Sequence, residues 1–74
     1  MPHVTIKHFP HPLTPAQEER LLTRLTAAVR EAFDVEDGVV SIALHPVEPE
    51  AWDERVYRPE IAGQREFVRK TPTY

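Results

Sequence analysis

Val39-Val40-Ser41-Ile42-Ala43-Leu44 is the longest apolar run in the chain, and its reading, carried on to His45, decides the fold. It is far too short to cross a bilayer. Apolar at nearly every position, it predicts a strand with both faces covered rather than one with a wet side. Asp37-Gly38 punctuates the chain just before it. Upstream lies a clear helix start: Thr14 as cap, Pro15 in the first turn and Gln17 completing a Thr-x-x-Gln capping box. Leu21, Leu22, Leu25, Ala28, Val29, Ala32 and Phe33 then recur at spacings of three and four, which predicts a helix over 15–33 with one apolar stripe. Before it, Pro2, Val4 and Ile6 alternate with His3, Thr5 and Lys7, the period of a strand, until Pro10 and Pro12 stop the pattern.

Strand, helix and strand at this spacing make a βαβ unit, with parallel strands and a right-handed crossover. One helix shields only one face of such a sheet. The rest of the chain is too short and polar to cover the other, so a second subunit is the expected cover. Beyond Pro46 the pattern is helical in shorter pieces. Pro49 opens a turn running through Ala51, Trp52 and Val56. Pro59 interrupts and is expected to open a last helix carrying Ile61, Ala62, Phe67 and Val68. Gly63 weakens that helix by roughly 1 kcal/mol relative to Ala, and Thr71 to Tyr74 reads as extended. The fold class is therefore α/β: a single domain over 1–74, βαβ plus short C-terminal helices, completed by oligomerisation.

Composition narrows the function. A chain of 74 residues with no cysteine cannot be stapled by disulfides, and its own core is marginal. Net charge is −3 with both signs mixed along the chain, so no basic footprint for nucleic acid exists. The N-terminus lacks the basic-then-apolar plan of a signal peptide, and the expected location is the cytoplasm, away from membranes. His8 and His11 are the only close histidine pair, in a proline-rich loop without cysteine or a His-Glu-x-x-His arrangement, so they read as solvated or locally bonded. Ser41, the only serine, lacks the glycine context of a nucleophile elbow. Two glycines in the whole chain leave no phosphate-cradling loop.

Three features remain. Trp52 sits among Glu48, Glu50, Asp53 and Glu54. Core packing is the ordinary role of a lone Trp, yet such polar neighbours suit a ring over a cavity mouth or an interface. Arg55, Arg58, Arg65, Arg69 and Lys70 offer a cation for a carboxylate, each being equally suited to simple surface solubility. Pro2 follows the initiator Met1, which is commonly trimmed before a small residue. A free N-terminal proline is a secondary amine able to act as base, acid or nucleophile. An α-amino group titrates near about pH 8, and modest burial brings it to neutrality.

Together these residues resemble the tautomerase superfamily typified by 4-oxalocrotonate tautomerase, and within it the bacterial phenylpyruvate-type branch. The resemblance rests on Met1-Pro2-His3, Ile6-Lys7, Phe9-Pro10, Ser41-Ile42-Ala43-Leu44, Pro49-Glu50, Trp52, Glu60-Ile61-Ala62, Lys70 and Tyr74, in one gapless register from Met1 to Tyr74. It implies that Pro2, once Met1 is removed, takes a proton from one end of an enol or α-keto acid and returns it at the other. It implies no metal or organic cofactor. The two arginines that bind carboxylates in 4-oxalocrotonate tautomerase fall here on Pro12 and Ser41. That departure argues against a dicarboxylate and for a phenylpyruvate-like monoacid, with Trp52 and Ser41 lining the substrate site. The branch implies a homodimer; the wider family's hexamer is the other arrangement.

Two rival readings stand beside this one. In the first, the same fold keeps Pro2 protonated and serves as a hydratase, dehalogenase or decarboxylase. In the second, it is a non-catalytic oligomeric binding module, for an amide-bonded Pro2 behind an uncleaved Met1 has no usable lone pair.

Overall fold

A computed structural model describes residues 1–74. Strand β1 (His3–His8) is followed by helix α1 (Pro15–Phe33), a 3-10 turn (Asp37–Val39) and strand β2 (Ser41–Pro46). The strands pair in parallel, from His3 opposite Ser41 to His8 opposite Pro46, so the expected βαβ unit is present. The remainder is a 3-10 turn (Pro49–Ala51), a π-helix (Asp53–Ile61), a second 3-10 turn (Ala62–Gln64) and an irregular tail.

The N-terminus of α1 follows directly from its residues. Thr14 Oγ1 accepts from the Gln17 N–H at 3.1 Å, and the Thr14 N–H donates to Gln17 Oε1 at 2.9 Å. Two donors that a helix start leaves unpartnered are thereby satisfied. The C-terminus falls at Phe33, where the apolar stripe was expected to end. Asp34 takes the left-handed conformation (φ 54°) and its N–H closes on the Arg30 carbonyl, a conformation that aspartate tolerates better than most residues. Asp37-Gly38 instead enters the 3-10 turn, which absorbs Val39 and moves the start of β2 to Ser41.

Pro59 does not begin a new helix. It lies inside the continuous π-helical segment, where the Ala62 N–H reaches back five residues to the Tyr57 carbonyl. A proline in an α-helix loses one backbone bond and its ring strikes the carbonyl four residues earlier. A widened turn relieves that clash and lets the segment continue. The chain then turns: the Phe67 N–H donates to the Gln64 carbonyl at 2.9 Å, and that of Val68 to Arg65 at 3.2 Å. Phe67 and Val68 are accordingly outside any helix, and Phe67 is exposed.

Strand alternation places Val4, Ile6, Ile42 and Leu44 on one face and His3, Thr5, Lys7, Ser41, Ala43 and His45 on the other. The first set is half-buried, as are Leu21, Leu22, Leu25, Thr26 and Val29 of α1. Ala28, Ala32 and Phe33, expected in the apolar stripe, are exposed. The second face is open at Ser41 and His45, so β2 is not covered on both sides within one chain. At its far end Lys7 forms an ion pair with Glu60 of the π-helix, and the Val47 N–H donates to the His8 carbonyl at 2.7 Å. Only Val47 and Val56 are buried. No helix is long and apolar enough to cross a membrane.

Candidate active site

Pro2 precedes β1 yet is held to the sheet, because the Ser41 N–H donates to its carbonyl at 3.2 Å. It is half-buried and lines an open cavity of about 470 Å³ with Met1, His3, Val4, Val29, Phe33 and Val35. Those walls are mostly apolar, with His3 the one polar side chain among them. Met1, 99% exposed, is the one residue in front of it. Met1 occupies the Pro2 nitrogen as an amide, and its removal would take away almost no packing.

Ser41 lies beside Pro2 through the backbone, but its hydroxyl belongs to the opposite face. There it shares a 2.7 Å hydrogen bond with His3 Nδ1, while His3 Nε2 meets Thr5 Oγ1 at 3.2 Å. A neutral imidazole can donate to one hydroxyl and accept from the other. Sequence reasoning missed this His3–Ser41–Thr5 chain. Alternation alone sets His3 and Thr5 together, and only the strand register brings Ser41 opposite His3.

Trp52 lies at the other end of the sheet. Its ring packs edge-on against Phe9 with centroids 5.1 Å apart, and its Nε1–H donates to the Tyr74 hydroxyl at 3.2 Å. Tyr74 in turn tilts against Tyr57 at 5.9 Å. Phe9, Pro49, Trp52, Asp53, Tyr57 and Tyr74 bound a cavity of about 390 Å³. The Trp is therefore a half-buried aromatic at a cavity wall. From Pro2 to Phe9 the extended chain covers about 23 Å at the rise of a strand. Within one chain, then, the structure brings Pro2 and Ser41 together and keeps Trp52 apart from both. No sequence spacing announces that Phe9, Trp52, Tyr57 and Tyr74 converge, since they come from three separate segments.

The cations sort themselves by partner. Arg58 Nε donates to Asp53 Oδ2 at 2.6 Å, Arg69 Nη1 to the Glu66 carbonyl at 2.8 Å, and Lys7 is paired with Glu60. Arg65 lines a further cavity beside Tyr57 and Tyr74. His8 Nδ1 donates to the Phe9 carbonyl at 2.7 Å. No three histidine or carboxylate side chains gather in a metal-holding cluster.

Pro2 ahead of β1 and the aromatic cavity beyond β2 sit at opposite ends of one parallel βαβ unit, and the relatives that share this chain's sequence are tautomerases, a class of isomerase. The chain belongs to the tautomerase superfamily, in its phenylpyruvate-type branch. It is 40% identical to Tautomerase PptA of Klebsiella pneumoniae, 36% to that of Cronobacter sakazakii and 31% to that of Pectobacterium carotovorum. Each match covers all of this chain and 97% of the relative. No family model matches.

Proposed function

We propose that this tautomerase interconverts the enol and keto forms of a phenylpyruvate-like monoacid, with Pro2 as the base and then the acid. The observation that carries the reading is the setting of Pro2: strand-anchored through Ser41, in a cavity lined mostly by apolar side chains, and capped only by an exposed Met1. Once Met1 is removed, the neutral secondary amine takes the enol hydroxyl proton and, as its conjugate acid, delivers one to the carbon at the other end. The proton count balances within the substrate, and the step calls for no metal or organic cofactor.

Trp52 is assigned to the wall that receives the substrate's apolar tail, and Ser41 to holding the Pro2 backbone. Because Pro2 and Trp52 of one chain lie at opposite ends of the sheet, this assignment requires two copies, each supplying its aromatic end to the partner's proline. A homodimer meets that need; a hexamer would meet it as well.

The decisive test compares the trimmed protein with a form that retains Met1, each verified by intact mass. The trimmed form is expected to tautomerise phenylpyruvate enol, and the Met1-bearing form, whose Pro2 nitrogen is an amide, to be inactive. Equal activity in the two would sink the base mechanism. In the trimmed enzyme activity is expected to fall as pH falls, since protonation removes the base. Loss toward high pH would indicate instead a protonated Pro2 acting as acid, as in the hydratase-type alternative.

A further inference from the structure

We propose that Arg65 is the cation that receives the substrate carboxylate, at the floor of a site whose wall is Tyr57 and Tyr74. The inference rests on the reading above that the aromatic end of one chain serves the Pro2 of another. Arg65 lines a cavity of about 430 Å³ with Tyr57, Ile61, Val68, Thr71 and Tyr74, a size in the range of small-molecule sites. Tyr57 and Tyr74 also line the neighbouring cavity under Trp52, so the two cavities share an aromatic wall. A planar apolar tail against Trp52 and a carboxylate at Arg65 would lie on the two sides of that wall's edge.

Position singles out Arg65 among the C-terminal cations: Arg55 and Lys70 are unpaired as well, but only Arg65 of the five lines either of these two cavities. Arg58 is already committed to Asp53, and Arg69 to the Glu66 carbonyl. Arg65 forms no ion pair or side-chain hydrogen bond, so its guanidinium donors are free for a bidentate anion. No carboxylate lines its cavity, whereas Asp53 lines the neighbouring one. An anion therefore meets a lone cation beside Arg65 and a neutralised ion pair next to Trp52. Thr71, whose hydroxyl is a neutral donor, lines the same cavity, while the Tyr74 hydroxyl is engaged by the Trp52 Nε1–H. One arginine and an apolar lining suit a monocarboxylate with an aromatic tail and leave a second carboxylate unpaired.

The test is equilibrium binding of a non-reacting aryl carboxylate, phenylacetate, and of its uncharged amide, phenylacetamide, by titration calorimetry on the Met1-trimmed protein. Arg65→Gln is expected to weaken phenylacetate about 10- to 100-fold, the worth of a charge-assisted pair, while phenylacetamide affinity changes less than about two-fold. Arg65→Lys should restore part of the acid's affinity, since a point charge replaces the fork. Circular dichroism confirms that both variants are folded. Equal phenylacetate affinity in wild type and Arg65→Gln overturns the proposal, and so does an equal loss of acid and amide binding. Turnover of the Met1-bearing form is read separately. An inactive Met1-bearing form with an unchanged Arg65→Gln variant defeats the Arg65 assignment alone. An active Met1-bearing form with weakened acid binding in Arg65→Gln defeats the Pro2 mechanism alone.

Discussion

At the scale of single residues, the two glycines show how local geometry sets the effect of one methyl group. A Cβ placed on Gly63 would stand 2.7 Å from the Arg58 carbonyl oxygen, whereas one on Gly38 would meet nothing within 4 Å. The Arg58 oxygen is backbone inside the π-helix, so it cannot swing aside as a side chain would. Gly63→Ala gains up to about 1 kcal/mol of helix propensity but incurs an overpacking cost of roughly 1–3 kcal/mol, and the clash is expected to win. Gly38→Ala, with no positive φ to forbid it, is expected to be neutral or stabilising by up to about 1 kcal/mol. Chemical denaturation of the two variants side by side checks both signs. Pro2 belongs to the same scale: whether its nitrogen is amine or amide depends on one bond to Met1.

At the scale of elements, α1 was legible because its start signal is chemical and local. Thr14, Pro15 and Gln17 are neighbours in sequence and remain so in space, and the helix begins and ends at the expected residues. Thr14→Ala removes the hydroxyl that accepts from Gln17 and is expected to cost about 1 kcal/mol, which thermal unfolding reads as roughly 4–8 °C. Retention of the wild-type melting temperature would show that the cap contributes nothing. The C-terminal half was less legible for an equally physical reason. Proline normally ends a helix, so Pro59 reads as a boundary, and the π-helical widening that accommodates it leaves no mark in the residue pattern. The stop of α1 falls where the apolar stripe ends, and Asp34 supplies the left-handed cap there in place of a glycine.

At the scale of the whole molecule, the single chain is more open than its mass calls for. Its accessible surface is 6136 Å², against about 4,700 Å² for a compact monomer of this size. Its radius of gyration is 14.0 Å, against about 11 Å for a compact chain of this length. The excess surface, on the order of 1,500 Å² on one chain, is about twice the roughly 800 Å² that each partner buries in a standard protein interface. Phe33 and Phe67 are 67% and 69% exposed, and no residue of α1 is buried. We expect the protein to sediment as a homo-oligomer, with a melting temperature that rises with protein concentration, since association stabilises the folded state by mass action. A concentration-independent melting temperature and a monomeric mass would refute this, along with the two-chain site that joins Pro2 to Trp52.

The amino-acid sequence by itself determined the βαβ elements and their order, because strand alternation, the helical stripe and the capping box are written in residues a few positions apart. It also marked Pro2 and Trp52, whose chemistry stands out at their positions. Only the tertiary structure decided which side chains meet. Strand register set Ser41 against His3, and three distant segments folded Phe9, Trp52, Tyr57 and Tyr74 into one wall. The competing carboxylate Asp53 occupied Arg58 and left Arg65 free. Those outcomes depend on distances across the fold, which no local pattern encodes.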